Sequence, residues 1–367
     1  MLNKKVPSAC FANSLNRWYE LIKKGDGELS KIKKAELREM LTQSEDSSDL
    51  VDYYILLCHR HDALFEEEVT DDLVKFLSRG SHDILINFYY ELFSGDYEFF
   101  NKNYFEAIEF YERAERRLLS MSEDTIGITK FADFHYKIGV SYYEIDQHLV
   151  SVTHVKKAKE IYEKDKNFIL EAIQCSLVMG ICLYDMGRYP DADSSLRSAL
   201  TDALAFGYDK PTAKIYHNLA LIRWQEGLYV EAKELFLKAE SFAWLKESPK
   251  GLQNLYMLSR VSYEMGDAEE GNRWYNLGSE MTERYDSEEF RIKLQILYYL
   301  YEEFSVENVL SYCDALREKN LWPDVAKIEK SIAAFFEKKG DISMSYTFLK
   351  RALYSREQIP KIREALG

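Results

Sequence analysis

The side chains with most to offer a ligand are one amide and a row of carboxylates set a repeat apart. Asn218 carries both donors and acceptors in one amide, so it can clamp the backbone of an extended peptide whatever that peptide's side chains are. Glu144, Asp185, Gln225 and Glu264 follow one another at steps of 41, 40 and 39 residues. An aromatic precedes each of them: Tyr143, Tyr184, Trp224 and Tyr263. A further set, Tyr136, Leu177, His217 and Tyr256, stands seven positions before these aromatics, two helical turns away and on the same face. A wall with aromatic bodies and an acidic or amide edge suits a short peptide carrying Lys or Arg. Asn218, Asp185, Tyr184, Trp224, Gln225, Tyr256 and Glu264 are its candidate contacts. Each has a plainer reading: an amide satisfied within its helix pair, carboxylates on a solvated face, aromatics packed between repeats.

Other chemistry is scarce. The chain has no phosphate loop, dinucleotide fingerprint, G-x-S-x-G or C-x-x-C. His59 and His61 are two residues apart, which splays them on a helix, so no metal site and no cofactor are expected. Five cysteines, an odd number in mostly apolar helical context, fit free thiols in a reducing cytoplasm.

These residues are positioned by a phrase that recurs six times: a small residue, another twelve later, a bulky one four on, and a small one three on. The copies are Gly95–Ala107–Tyr111–Ala114, Gly139–Ser151–Val155–Ala158, Gly180–Ala192–Leu196–Ala199, Ala220–Ala232–Phe236–Ala239, Ser259–Gly271–Tyr275–Gly278 and Ala333–Ser345–Leu349–Ala352. A weaker copy starts near Ile296. Small residues at such spacing let two antiparallel helices touch, and a fixed period near 40 predicts stacked hairpins. The expected fold is all-α: a three-helix bundle followed by a right-handed tetratricopeptide superhelix of about seven hairpins. Its first helices line a concave face.

The amino end differs from the repeats. Residues 1–40 hold 9 Lys+Arg against 5 Asp+Glu, and residues 41–80 hold 3 against 10. Leu15, Trp18, Tyr19 and Ile22 mark the apolar face of a first helix ended by Gly25 and Gly27, a second runs from about Leu29 to Gln43, and Leu50, Tyr53, Tyr54, Leu57, Cys58 and His61 mark a third. The predicted organisation is a partner-binding module at 1–68, a linker helix at 69–81 and a peptide-binding repeat domain at 82–367. Net charge is −14, which argues against direct binding of nucleic acid. The basic first forty residues would allow a DNA-binding alternative, but Asp49, Asp52 and Asp62 on the third helix would repel phosphate. No secretory leader and no apolar run near the length of a membrane span are read, so a cytoplasmic protein without membrane contact is expected.

The motifs Leu15-Asn16-Arg17-Trp18-Tyr19, Asp49-Leu50-Val51-Asp52-Tyr53-Tyr54 running to Arg60-His61, Gly95-Asp96-Tyr97-Glu98-Phe99 and Ala132-Asp133-Phe134-His135-Tyr136-Lys137 resemble those of the Rap family over essentially the whole chain. The resemblance implies a cytoplasmic regulator whose helix module grips a response regulator or another transcription factor. It also implies a short secreted Phr-type peptide that enters the repeat groove and switches the protein off. The family's peptide-anchoring asparagine falls on Asn218 and an anchoring aspartate on Asp185. Glu45, Asp46, Val51, Tyr54 and His59 are the candidate partner contacts. Some members hydrolyse the regulator's aspartyl-phosphate with a glutamine that orients water; others only sequester. Ser48 stands at the glutamine's position, and Gln43 lies five residues too early. Sequestration is therefore the leading expectation, with an active phosphatase despite Ser48 as the alternative. The family's aromatic before Arg60-His61 is replaced by His59.

Overall fold

The computed structural model describes residues 7–43, 48–65, 83–121 and 128–366, and within them the chain forms eighteen α-helices and no strand. The expected linker helix at 69–81 lies outside the described residues. Contacts divide the chain into two compact units, Met1–Asp165 and Lys166–Gly367.

The first unit opens with α1 (Ser8–Lys24), α2 (Gly27–Gln43) and α3 (Ser48–Phe65). The 3-and-4 spacing of α1 works as read: Phe11, Leu15, Trp18, Tyr19 and Ile22 are all buried. Gly25 ends the helix at φ 74°, a left-handed value cheap only for glycine. Trp18 Nε1 donates to the buried Ser30 Oγ at 2.9 Å, which joins α1 to α2. The third helix departs from its reading as an acidic outer face. Asp52 and Asp62 are 3% and 0% exposed. Asp62 accepts from Lys34 and lies 3.1 Å from His61 Nδ1. A charge so deep persists only because it is paired; burial alone would raise this carboxyl's pKa, but the bonds from His61 and Lys34 hold it below the ordinary value.

Two hairpins complete this unit: α4 (Ile84–Phe100) with α5 (Tyr104–Leu118), and α6 (Ile128–Glu144) with α7 (His148–Tyr162). Five further hairpins form the second unit: α8 (Ile169–Asp185) with α9 (Tyr189–Ala205), α10 (Asp209–Gln225) with α11 (Tyr229–Glu240), α13 (Gly251–Glu264) with α14 (Ala268–Arg284), α15 (Glu288–Tyr301) with α16 (Val306–Glu318), and α17 (Trp322–Lys338) with α18 (Ile342–Leu366). The short α12 (Ala243–Lys246) lies between α11 and α13.

The repeated phrase marks where each pair touches. A Cβ on Gly95, Gly139 or Gly180 would come within 2.7, 2.5 or 2.6 Å of Tyr111, Val155 or Leu196, the bulky member of the same copy. Seven residues after the first member of each copy the chain turns through a left-handed residue: Lys102, Asp146, Gly187, Gly227, Gly266 and Gly340, with φ between 55° and 82°. One copy deviates. Leu349 is 48% exposed, and its neighbour Phe348, fully buried, stacks on Phe336 at 5.6 Å instead. In the first repeat the bulky residue is also covered by the next pair, as Tyr111 meets Phe134.

One helix corrects a reading made from sequence. Lys166–Asp185 is long and apolar enough to cross a membrane by length and composition, with 20 residues and a mean hydropathy of 1.5. Here Ile173, Cys175, Leu177, Cys182 and Leu183 are buried, and the helix packs against α9 and α10.

Candidate functional site

The inner face of the second unit is defined by contacts between residues far apart in sequence. Lys327 on α17 donates to Asp185 Oδ1, at the end of α8, at 3.1 Å. Lys338, one helix end further on, reaches Tyr229 at the start of α11, with Nζ 3.3 Å from the phenol oxygen and 5.3 Å from the ring centre. A side chain from the last hairpin can meet the first hairpin of this unit only across the inside of the curl. Asp185 therefore looks inward, and Tyr229, on the second hairpin, is met by Lys338 from the same helix as Lys327. Asp185 is largely sheltered, its side chain 16% exposed, whereas Lys327 is 71% exposed. Sequence reasoning missed both lysines, since no local spacing links residues 142 or 109 positions apart.

Asn218 lies on α10, seven residues before Gln225, the repeat counterpart of Asp185, so it shares the helix face that Asp185 takes on α8. It is partly exposed between the buried His217 and Leu219. Its side chain makes no hydrogen bond among the described residues. Gln225 is exposed, and Tyr184 is partly buried with its ring 5.6 Å from Tyr189.

The remaining wall residues are engaged with one another. Glu264 accepts from Trp224 Nε1 at 2.6 Å and from Arg260 Nε at 3.0 Å. The Arg260 guanidinium sits 4.3 Å from the centre of the Trp224 ring. Burial would weaken the charge on Arg260, but Tyr256, Glu264 and Tyr301 hold its pKa above the ordinary value. Tyr256, expected on the wall, is 7% exposed and packs edge-on against Phe290. The acidic edge is thus internally balanced at two points, Glu264 by Arg260 and Asp185 by Lys327. The second pair has a solvent-exposed cation that a ligand's ammonium or guanidinium can replace.

In the first unit, α3 and the first two hairpins share a buried ionic knot. Asp96 accepts from Arg60, from Lys137 at 2.6 Å and from Tyr111 Oη at 2.8 Å. The Arg60 guanidinium also lies 4.8 Å from the Phe93 ring centre. Burial, then repulsion from Arg60, brings the Lys137 amine down to about 8. His59 is not at a surface: it is 5% exposed, with its ring 5.5 Å from Tyr97. Burial lowers its pKa, so it is a neutral core residue in place of a partner contact. Tyr54 is partly buried against Trp18 and Phe11, and Val51 is partly exposed. Ser48, the first residue of α3, is exposed, and its hydroxyl lies 3.4 Å from Asp49 Oδ1. Gln43 is the last residue of α2. Glu45 and Asp46 lie outside the described residues.

Comparison with known proteins agrees with this architecture at both ends. Residues 5–66 match the family described as response regulator aspartate phosphatase H, N terminal. Response regulator aspartate phosphatase A of Bacillus subtilis (strain 168) is 26% identical, over 98% of each chain. Among solved structures, the Rap conjugation gene regulator of the plasmid pLS20 in complex with the Phr* peptide is 55% identical, covers 99% of each chain and superposes with a TM-score of 0.70. The apo form of RapI, 21% identical over 96% of this chain and 98% of its own, superposes with a TM-score of 0.81 and has the same fold.

Proposed function

Since the chain belongs to the Rap family, we propose that it is a cytoplasmic regulator that holds a transcription factor or response regulator through its first unit and is switched off by a short basic peptide in the trough of the second. The observation that carries this reading is the Asp185–Lys327 bridge. It is a sheltered, inward-facing carboxylate whose present cation comes from a mostly exposed side chain. Asn218 supports it with a free amide on the equivalent face of the neighbouring hairpin. The pLS20 relative is a conjugation gene regulator in complex with a peptide, and a partner that controls transcription and a peptide ligand carry over from it as part of this proposal. The contacts proposed for the peptide are Asn218 and Asp185, with Tyr184 and Gln225 beside them. Trp224, Glu264 and Tyr256 act through the packing that holds this wall rigid.

The mode of action proposed is sequestration. A serine hydroxyl at position 48 is several bonds shorter than a glutamine amide and lacks its paired donor and acceptor, so it cannot orient water over an aspartyl-phosphate in the same way. Incubation with phosphorylated receiver domains tests this: a stoichiometric complex with the phosphate retained is expected. Rapid phosphate loss that survives Ser48→Ala, with no complex formed, would establish the phosphatase instead. For the trough, calorimetric titration of the full chain with the Phr* peptide as probe should show binding that weakens by about 1–3 kcal/mol in Asn218→Ala, the cost of losing a desolvated amide's hydrogen bonds. Unchanged affinity removes Asn218 from the clamp.

A further inference from the structure

We propose that the first unit contains a transition-metal site, with Glu115 of α5, His135 of α6 and His154 of α7 as its protein ligands and zinc(II) as the cation that fits. The ligand atoms of these three side chains lie within 4.8 Å of one another. Within that group His135 Nδ1 and His154 Nδ1 are 2.9 Å apart. A four-coordinate zinc ion with bonds of about 2.0–2.2 Å holds its ligands roughly 3.3–3.6 Å from each other, so small side-chain rotations bring the three into range. Two imidazoles and one carboxylate, with a fourth position left for water, is a common zinc donor set.

The surroundings favour a cation over a plain hydrogen bond. Two nitrogens facing each other can share at most one proton, and His135 gains no other polar contact: its Nε2 is buried without a partner, and its ring is packed between Phe131 and Phe134. His135 is 1% exposed, while Glu115 and His154 are partly exposed, which gives an ion a way in. The Glu115 carboxylate has no ion-pair partner among the described residues. The His154 ring is stacked on Tyr142 at 5.8 Å, and Tyr142 donates to Glu112, so the ring has a fixed pose and an anion nearby. Lys157 opposes the cation at this place; Glu112 and Glu115 outnumber it. A metal here would tie α5 of one hairpin to both helices of the next. Sequence spacing gave no sign of it, because the three ligands are about 20 residues apart on three helices and meet only in the stack.

The test uses untagged, metal-free full-length protein titrated with cobalt(II) and then zinc(II). One equivalent of cobalt should bind with visible d–d absorption and no thiolate charge-transfer band, and zinc should displace it and raise the melting temperature. His154→Gln and Glu115→Gln, both at partly exposed positions, should keep the helical circular-dichroism signal and weaken zinc binding by about tenfold or more, as loss of a ligand does. No saturable uptake, a thiolate band that assigns the metal to cysteine, or unchanged affinity in both variants would overturn the site and leave a hydrogen-bonded histidine pair.

Discussion

Lys327 and Asp185 form an ion pair across the trough in which one member is sheltered and the other mostly in solvent. Exposed pairs of this sort contribute about 0–1 kcal/mol, so the bridge is weak enough to be exchanged and specific enough to compete. Removing the competing charge in Lys327→Met should therefore raise affinity for a basic peptide by up to roughly fivefold, and Asp185→Asn should lower it, with both differences shrinking at high salt. Calorimetry at two ionic strengths checks this; a Lys327→Met protein that binds more weakly would mean that the lysine helps hold the peptide. His217 makes a second prediction at this scale. It is buried, its Nδ1 lies 3.0 Å from Asn254 Oδ1, and its Nε2 has no partner. Burial lowers its pKa. The unfolded chain then binds a proton more readily than the folded one, so this group's contribution is full above its ordinary value of about 6.5 and declines as pH falls below it. The slope from one such proton is at most about 1.4 kcal/mol per pH unit. Denaturant unfolding between pH 7.5 and 5.5 should show a smaller loss in His217→Gln than in the parent; equal losses would assign the acid sensitivity to other groups.

The hairpin is the element on which the stack is built, and its closest approach is at glycine. In α6 a methyl group on Gly139 would lie 2.5 Å from Val155 Cγ2 and 3.2 Å from the Ser151 carbonyl oxygen. Alanine would improve helix propensity by about 1 kcal/mol, but overpacking a tight core costs about 1–3 kcal/mol, and valine has little rotamer freedom with which to yield. Gly139→Ala should thus be less stable by up to about 2 kcal/mol, read from the denaturation midpoint. A gain in stability would show that the two helices can move apart freely. This much of the architecture was legible in the sequence: small residues at fixed spacing are the only ones that let helix axes come so close, so the phrase and the contact are the same fact. The last copy misled at Leu349, because whether a bulky residue is buried depends on the hairpin packed over it, which no pattern within one hairpin encodes. The apolar run of α8 was missed for a related reason. In a helix covered by a partner on two sides the apolar residues do not keep to a single stripe, and a search for one face underrates their length.

Taken as a whole chain, the protein is acidic, and its charges are spent in two ways. Some form exposed pairs along single helices; others, such as Asp62, Asp96 and Glu329, are buried carboxylates paired with partly exposed cations. A peptide switch needs two states between which the ligand discriminates. Saturating peptide is therefore expected to change the small-angle scattering profile of the full chain toward a more compact one, and identical profiles with and without peptide would reject that form of the switch. The sequence by itself determined the class of fold, the points at which paired helices touch and the register that sets Asn218 and Asp185 on equivalent faces. Helical periodicity and the size of contact residues are local properties, carried by neighbours within about forty positions. Only the tertiary structure decided which of those faces were already occupied: Lys327 over Asp185, Arg260 between Trp224 and Glu264, His59 turned into the core, and His135 brought against His154. Charge and metal-ligand pairing are matters of distance in space, and the curl of a helical stack brings together side chains whose separation along the chain carries no trace of it.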